Sequence, residues 1–173
     1  MILTGPEIQQ AVTQGDIVLD PFDPSLLNPN SYNYRLAPFI KVLDRPILDG
    51  LDCDQNPREI ELPQAGMVFI PRRVYLGSTV ETIGSDHYVT SLIGRSSLGR
   101  LGVFLQVSAD LGNLGAVHKW TLEIVVAQPV RLFPGMQVGQ VSFWQATGDR
   151  LPYGGYFGRY SHPVQSNPAV VCS

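Results

Sequence analysis

The sequence predicts a mainly β domain with one short helix at its N-terminus. Three observations lead there. Apolar residues alternate with polar ones in many short runs, the spacing of half-buried strands. The chain holds 17 Gly and 14 Pro, which punctuate those runs at short intervals. A helix-start signature occurs near Met1 and is not repeated with comparable clarity. The pattern suits a closed or sandwiched antiparallel sheet, a distorted jelly roll or β-barrel.

Taken in order, Thr4-x-x-Glu7 with Pro6 in the first turn is a capping-box signature, so a helix is expected over Pro6–Thr13. Gly15 should end it. Ile17–Leu19 is a short apolar run, and Asp20-Pro-Phe-Asp-Pro24 has turn chemistry. Tyr32–Ile40 alternates as a strand. Arg45–Arg58, rich in Asp and interrupted by Pro and Gly, reads as a variable loop. Further strands are expected at Ile60–Leu62, Met67–Ile70, Tyr75–Thr82, Tyr88–Ile93, Val103–Ser108, Trp120–Ala127 and Gln137–Gln145, with Pro134-Gly135 a turn between two of them. No internal repeat or linker is evident. Residues 1–152 are expected to form one domain, and 153–173 a tail that orders only against a ligand or a neighbouring subunit.

At 173 residues, 44% hydrophobic and 16% charged, the chain can bury a substantial core. A net charge of −3 gives no electrostatic reason to expect nucleic-acid binding. Cys53 and Cys172 make neither a disulfide framework nor a metal motif. The first residues lack the regions of a signal peptide, and no apolar run is long enough to span a bilayer. The expected setting is therefore soluble, reducing and cytoplasmic, with no membrane partner.

Candidate chemistry concentrates in residues 94–123. Gly94-Arg-Ser-Ser-Leu-Gly-Arg-Leu-Gly102 packs two guanidinium forks and two hydroxyls into a Gly-bounded turn, a composition suited to anionic oxygens. Glu123 follows in Trp120-Thr-Leu-Glu-Ile-Val-Val126, a run expected to be a buried strand, where a carboxylate is costly unless partnered or used. On the strand alone, an ion pair with a core arginine is the stronger reading of Glu123.

The string GRSSLGRLG, followed at these separations by QVSA and WTLE, resembles the dCTP deaminases of the dUTPase-like superfamily. Leu27-Asn-Pro-Asn-Ser-Tyr-Asn-Tyr-Arg-Leu36 and Leu132-Phe-Pro-Gly-Met-Gln-Val-Gly-Gln-Val-Ser-Phe143 resemble that family's early and late strands. Pro152-Tyr153 and Arg159-Tyr160 resemble its nucleotide-covering tail. The resemblance implies the dUTPase-like β fold, assembled as homotrimers with active sites between subunits. It also implies a small-molecule nucleotide substrate and hydrolytic deamination of dCTP to dUTP and ammonia.

Deamination needs a water made nucleophilic at cytosine C4, with protons delivered to N3 and to the leaving amine; one carboxylate can move them all. The resemblance implies that Glu123 does so, reversing the core-pair reading. The chain lacks the H-x-E…P-C-x-x-C pattern of zinc deaminases, so no zinc is expected. By the same resemblance Ser96 and Arg100 hold water and pyrimidine, while Arg95 and Ser97 face the phosphates. Ala109 and Thr121 offer backbone groups that tell cytosine from uracil. Gln106 shares a strand with Ala109 and is a further nucleotide-binding candidate. Tyr153, Arg159 and Tyr160 close over the triphosphate, and Mg2+ rides on the triphosphate oxygens rather than in a protein carboxylate cage.

One segment departs from the family pattern. In Asp110-Leu-Gly-Asn-Leu-Gly-Ala-Val-His-Lys119, Asn113 occupies the place of an aspartate that in the family contacts the sugar 3′-hydroxyl. In family members that also hydrolyse the triphosphate, that aspartate helps activate water. Asn can hydrogen-bond a hydroxyl but cannot act as a base. This favours deamination alone over a dUTPase-type or bifunctional diphosphohydrolase that yields dUMP. A non-catalytic nucleotide-binding trimer is disfavoured by the joint presence of Arg95, Ser96, Arg100 and Glu123. His118 and Lys119 read as surface decoration.

Overall fold

A computed structural model describes residues 1–44, 57–105, 110–151 and Tyr153. The helix α1 spans Gly5–Gln14. Twelve strands follow among the described residues: β1 Val18–Asp20, β2 Leu27–Asn28, β3 Ser31–Arg35, β4 Phe39–Val42, β5 Arg58–Glu61, β6 Met67–Phe69, β7 Tyr75–Gly84, β8 Tyr88–Gly94, β9 Val103–Phe104, β10 Val117–Val126, β11 Val130–Leu132 and β12 Gln137–Gln145. A one-turn helix, α2, covers Ser96–Gly99 between β8 and β9.

The strands form three antiparallel groups. The largest sheet runs β5-β4-β7-β10-β9, with β1 also pairing β7; a second runs β2-β3-β12-β8; β11 and β6 pair separately. A mainly β fold is therefore observed. The barrel expectation is corrected, because the described strands do not close on themselves. The physical reason is length: β2, β6, β9 and β11 hold only two or three residues each, too few to carry a hydrogen-bond ladder from one sheet into the next.

Helix α1 buries Ile8 and Ala11 on one face, as period-3.6 spacing requires. Thr4 is its N-cap, but the expected capping box is not made: the Thr4 side chain accepts no cap hydrogen bond. Gly5 N–H instead donates to Pro29 O at 2.8 Å, so the loop before β3 supplies part of the cap. Gly15 terminates the helix with φ +83, the left-handed conformation that favours Gly.

The run expected as one strand over Tyr32–Ile40 is two. β3 pairs with β12, whereas β4 pairs with β5 and β7. The chain crosses between sheets at Leu36-Ala37-Pro38, where Pro38 has no N–H to give to a ladder. Between the sheets lie Tyr32, Tyr34, Phe69, Leu122, Ile124 and Phe143, all fully buried. Tyr34 crosses over Gly139: a Cβ there would overlap its ring, while its hydroxyl donates to Ile93 O at 3.0 Å.

The carboxylate buried in this core is Glu81. Along β7 the residues Tyr75, Gly77, Thr79, Glu81 and Ile83 point inward. Arg35 Nε donates to Glu81 Oε1 at 2.6 Å and Arg35 N–H to Oε2 at 2.9 Å. Thr79 fills the irregularity where β7 and β10 slip in register. Its hydroxyl donates to Glu81 O at 2.7 Å and accepts from Trp120 N–H at 2.9 Å.

Candidate functional site

The Gly-bounded turn begins where β8 ends at Gly94. Arg95 is extended and caps α2, whose buried Leu98 anchors it to the core. Ser96, Ser97 and Arg100 stay exposed. Gly102 then reverses the chain with φ +78. Its carbonyl accepts from Ala127 N–H at 2.7 Å, and a Cβ at Gly102 would stand 3.0 Å from Ala127 Cβ. Phe104 and Val103 pair with Val125 and Val126 of β10. The serine–arginine turn is thus fastened to the end of the strand that carries Glu123. Arg95 is half-buried, and its Nη1 donates to Gln137 Oε1 at 2.8 Å, which seats its guanidinium against the start of β12.

β10 alternates strictly. Trp120, Leu122, Ile124 and Val126 are buried, while Thr121 is exposed and Glu123 and Val125 are half-buried on the opposite face. The expectation of a carboxylate inside a buried strand is corrected for Glu123: it lies on the outward face of the sheet, opposite Leu76 of β7. Thr121 shares this face and stands opposite Ser78. The inward parity of β10 is taken by apolar side chains, so the core carboxylate falls on β7 instead.

Asn113 is exposed in the loop before β10. That loop is clamped along β8: Leu92 N–H donates to Asp110 O at 2.8 Å and Gly112 N–H to Thr90 O at 2.7 Å. Gly115 N–H donates to Ser85 O at 2.8 Å. Gly112 has no room for a side chain, since a Cβ would stand 2.5 Å from the Trp120 ring. Tyr153 meets this loop, its N–H donating to Leu114 O at 2.7 Å, and packs against the core. His118 is not surface decoration. It is 6% exposed, packs its ring at a tilt against Trp120 with ring centroids 4.3 Å apart, and places Nδ1 3.0 Å from Lys119 O. Burial holds its pKa below the usual imidazole range, opposed by that carbonyl. Its strand parity with Trp120 was the available signal.

The fold therefore joins Ser96, Ser97 and Arg100 to the β10 strand of Glu123 and Thr121, and joins Asn113 to Tyr153. Gln106, Ala109, Arg159 and Tyr160 lie outside the described residues. Gln137, which holds Arg95, was missed by sequence reasoning, because nothing local to β12 announces a partner in the turn after β8. Among the described residues, no group of three or more His, Cys, Asp or Glu side chains could hold a metal ion. No helix among them is long and apolar enough to cross a membrane. Chemically, the turn offers exposed cationic and hydroxyl donors to an anionic ligand, and Glu123 offers a carboxylate on a partly solvated sheet face.

Comparison with known proteins gives a consistent result. A family model described as dCTP deaminase-like matches residues 2–146. The chain is 37% identical over 171 residues to a protein of Clostridium acetobutylicum named "dCTP deaminase, dUMP-forming", covering 99% of this chain and 96% of that one. It is 42% identical over 149 residues to a "dCTP deaminase" of Rhodopirellula baltica, covering 86% and 74%. A Cytophaga hutchinsonii protein, again named dUMP-forming, is 38% identical over 171 residues, covering 99% and 96%. The fold is similar to the crystal structure of 2′-deoxycytidine 5′-triphosphate deaminase from Agrobacterium tumefaciens, with a TM-score of 0.68 and 21% identity. That match covers 84% of this chain and 48% of the other, so this chain spans about half the length of that structure.

Proposed function

The chain belongs to the dCTP deaminase-like family, and from that premise we propose that it is a hydrolase converting dCTP to dUMP, with release of ammonia and pyrophosphate. The observation carrying the product is that relatives matched over nearly their whole length are named dUMP-forming. The preference for dUTP drawn from Asn113 gives way to them. In the deamination step, Glu123 takes a proton from water as the oxygen bonds to C4. It delivers that proton to N3 and then carries the C4 hydroxyl proton to the amine, which leaves as ammonia as the C4–N4 bond breaks and the C4 carbonyl forms. Ser96 and Arg100 hold the water and the base. Arg95 and Ser97 face the phosphates, with Arg95 pre-set by Gln137.

In the second step water attacks the α-phosphorus and pyrophosphate departs. Asn113 orients that water through its amide oxygen, and the proton the water loses passes to solvent. Mg2+ would be held on the triphosphate oxygens rather than by protein carboxylates, and would neutralise charge there. Ala109, Thr121 and Gln106 read the base. Tyr153, Arg159 and Tyr160 belong to a tail, 153–173, that closes over the nucleotide. The protein works as a homotrimer with the site between subunits. Support comes from the outward face bearing Glu123, which also leaves Phe39 36% and Phe104 48% exposed.

The decisive assay follows ammonia, pyrophosphate, dUMP and dUTP from dCTP with Mg2+. Glu123→Gln should abolish ammonia release while nucleotide binding persists. Wild-type turnover in that variant defeats the assignment, and accumulation of dUTP without pyrophosphate returns the product to the simpler deaminase.

A further inference from the structure

The Arg95 guanidinium is held from the start of β12. Its Nη1 donates to Gln137 Oε1 at 2.8 Å and, more distantly at 3.5 Å, to the Gln137 carbonyl. Both acceptors are neutral, and both side chains are half-buried.

Two features of the sheet build this contact. β8 ends with Gly94 opposite Gly139 of β12, and the ring of Tyr34 lies over Gly139. The Tyr34 hydroxyl donates to Ile93 O at 3.0 Å, which fixes the backbone just before Arg95. The second feature is a bulge. Where β3 steps once, from Arg35 to Tyr34, β12 steps twice, from Gln137 to Gly139. A bulge of this kind re-aims the side chains beside it. Val138 and Gly139 are both buried, which breaks the alternation of β12, and Gln137 meets the Arg95 guanidinium.

We infer that Gln137 is a positioning residue for the guanidinium of Arg95, and that it must be an amide because an amide fixes the cation without discharging it. The inference rests on the assignment of Arg95 to the phosphates above. A carboxylate at residue 137 would accept the same hydrogen bond, but it would pair with the guanidinium and repel a triphosphate. The amide oxygen engages one nitrogen of the fork and leaves the full positive charge for anionic oxygens. An arginine already held in place also loses less freedom when the nucleotide arrives.

The test is steady-state ammonia release from dCTP by the full chain with Mg2+, read as KM and kcat. Gln137→Leu should raise KM about three- to tenfold, the cost of ordering one long side chain at binding. Its kcat should stay within about twofold of wild type, because Arg95 meets the phosphates and not C4. Gln137→Glu, the same shape with a charge added, should raise KM by more than about tenfold. In an Arg95→Met background the Gln137→Leu change should lose its effect, since the group it positions is gone. A wild-type KM in either Gln137 variant, while Arg95→Met raises it, overturns the inference. So does a Gln137→Leu effect that persists in full beside Arg95→Met. If Gln137→Leu does not fold, Gln137→Glu carries the comparison. Failure of the parent reading looks different: an unchanged KM in Arg95→Met removes Arg95 from the phosphates, and no ammonia from dCTP removes the reaction itself.

Discussion

Replacing Arg35 with Met should destabilise the fold more than any change in the serine–arginine turn. Glu81 is fully buried, and the Arg35 side chain is 27% exposed. Hydrogen bonding to Glu81 holds the Arg35 guanidinium above its usual pKa, against the pull of burial. Removing one member of a buried ion pair costs ~3–5 kcal/mol, because the remaining charge is stranded. Here the lower end applies. Glu81 would keep the Arg35 backbone N–H at 2.9 Å, and water can enter from the exposed side of residue 35. A loss of about 3 kcal/mol corresponds to a fall in Tm of roughly 6–12 °C for a domain this size. Calorimetry at neutral pH reads it, and added salt should change it little, since buried pairs are weakly screened. The double variant Arg35→Met with Glu81→Leu should recover most of the loss, because no stranded charge remains. A Tm within about 2 °C of wild type for Arg35→Met alone would show that the pair contributes little and refute the reasoning.

On the proposed placement of Asn113, Asn113→Asp would add a base near the α-phosphate, so pyrophosphate release should rise at least about tenfold relative to ammonia release; an unchanged ratio of products means Asn113 is not near that water. His118 is buried with its pKa held down, so the unfolded chain binds its proton first as pH falls. Its contribution to stability is present above about pH 6.5 and is lost below it, down to the folded pKa. His118→Gln should flatten thermal stability between pH 7 and 5 (roughly the window in which histidine titrates), and an identical slope in both proteins would remove His118 as the cause. Zinc chelators should leave ammonia release unchanged, whereas withdrawing Mg2+ should raise the KM for dCTP. Restoration of a chelated enzyme by zinc alone would contradict the carboxylate mechanism.

Some elements were legible because their causes are local. β12 matches its expected span, Gln137–Gln145, since its period-two alternation and the Pro134-Gly135 turn just before it are local. The end of α1 at Gly15 is equally local. Other features depend on partners distant in sequence. Tyr32–Ile40 reads as one run broken only by Pro38, yet its halves belong to different sheets; Pro38 marks an interruption, but nothing within the run says that β12 claims one half and β7 the other. The capping box at Thr4 failed for the same reason, because Pro29 reached the helix start first. α2 and the pairing of β11 with β6 rest on contacts too short for any periodicity to register. Expecting a carboxylate–arginine pair in the core was physically sound, but it belonged to Glu81, whose inward parity with Tyr75 and Ile83 was readable in β7.

The position of Glu123 changes what must supply a dry site. A carboxylate that moves protons for an attacking water works best with bulk solvent excluded, and the single chain leaves Glu123 half-buried on an outward face. Its own strand cannot deepen that burial, because the core side is filled by Leu122 and Ile124, both fully buried. Cover must therefore come from above the sheet. The exposed Phe39 and Phe104 on that same face are apolar surface of the kind a neighbouring protomer covers, which would tie the proposed homotrimer to the proposed chemistry. On this reasoning dissociation would wet Glu123. A surface variant that separates protomers, such as Phe104→Lys, should lose ammonia release while keeping its fold. A folded monomer with full turnover would show that each chain completes its own site.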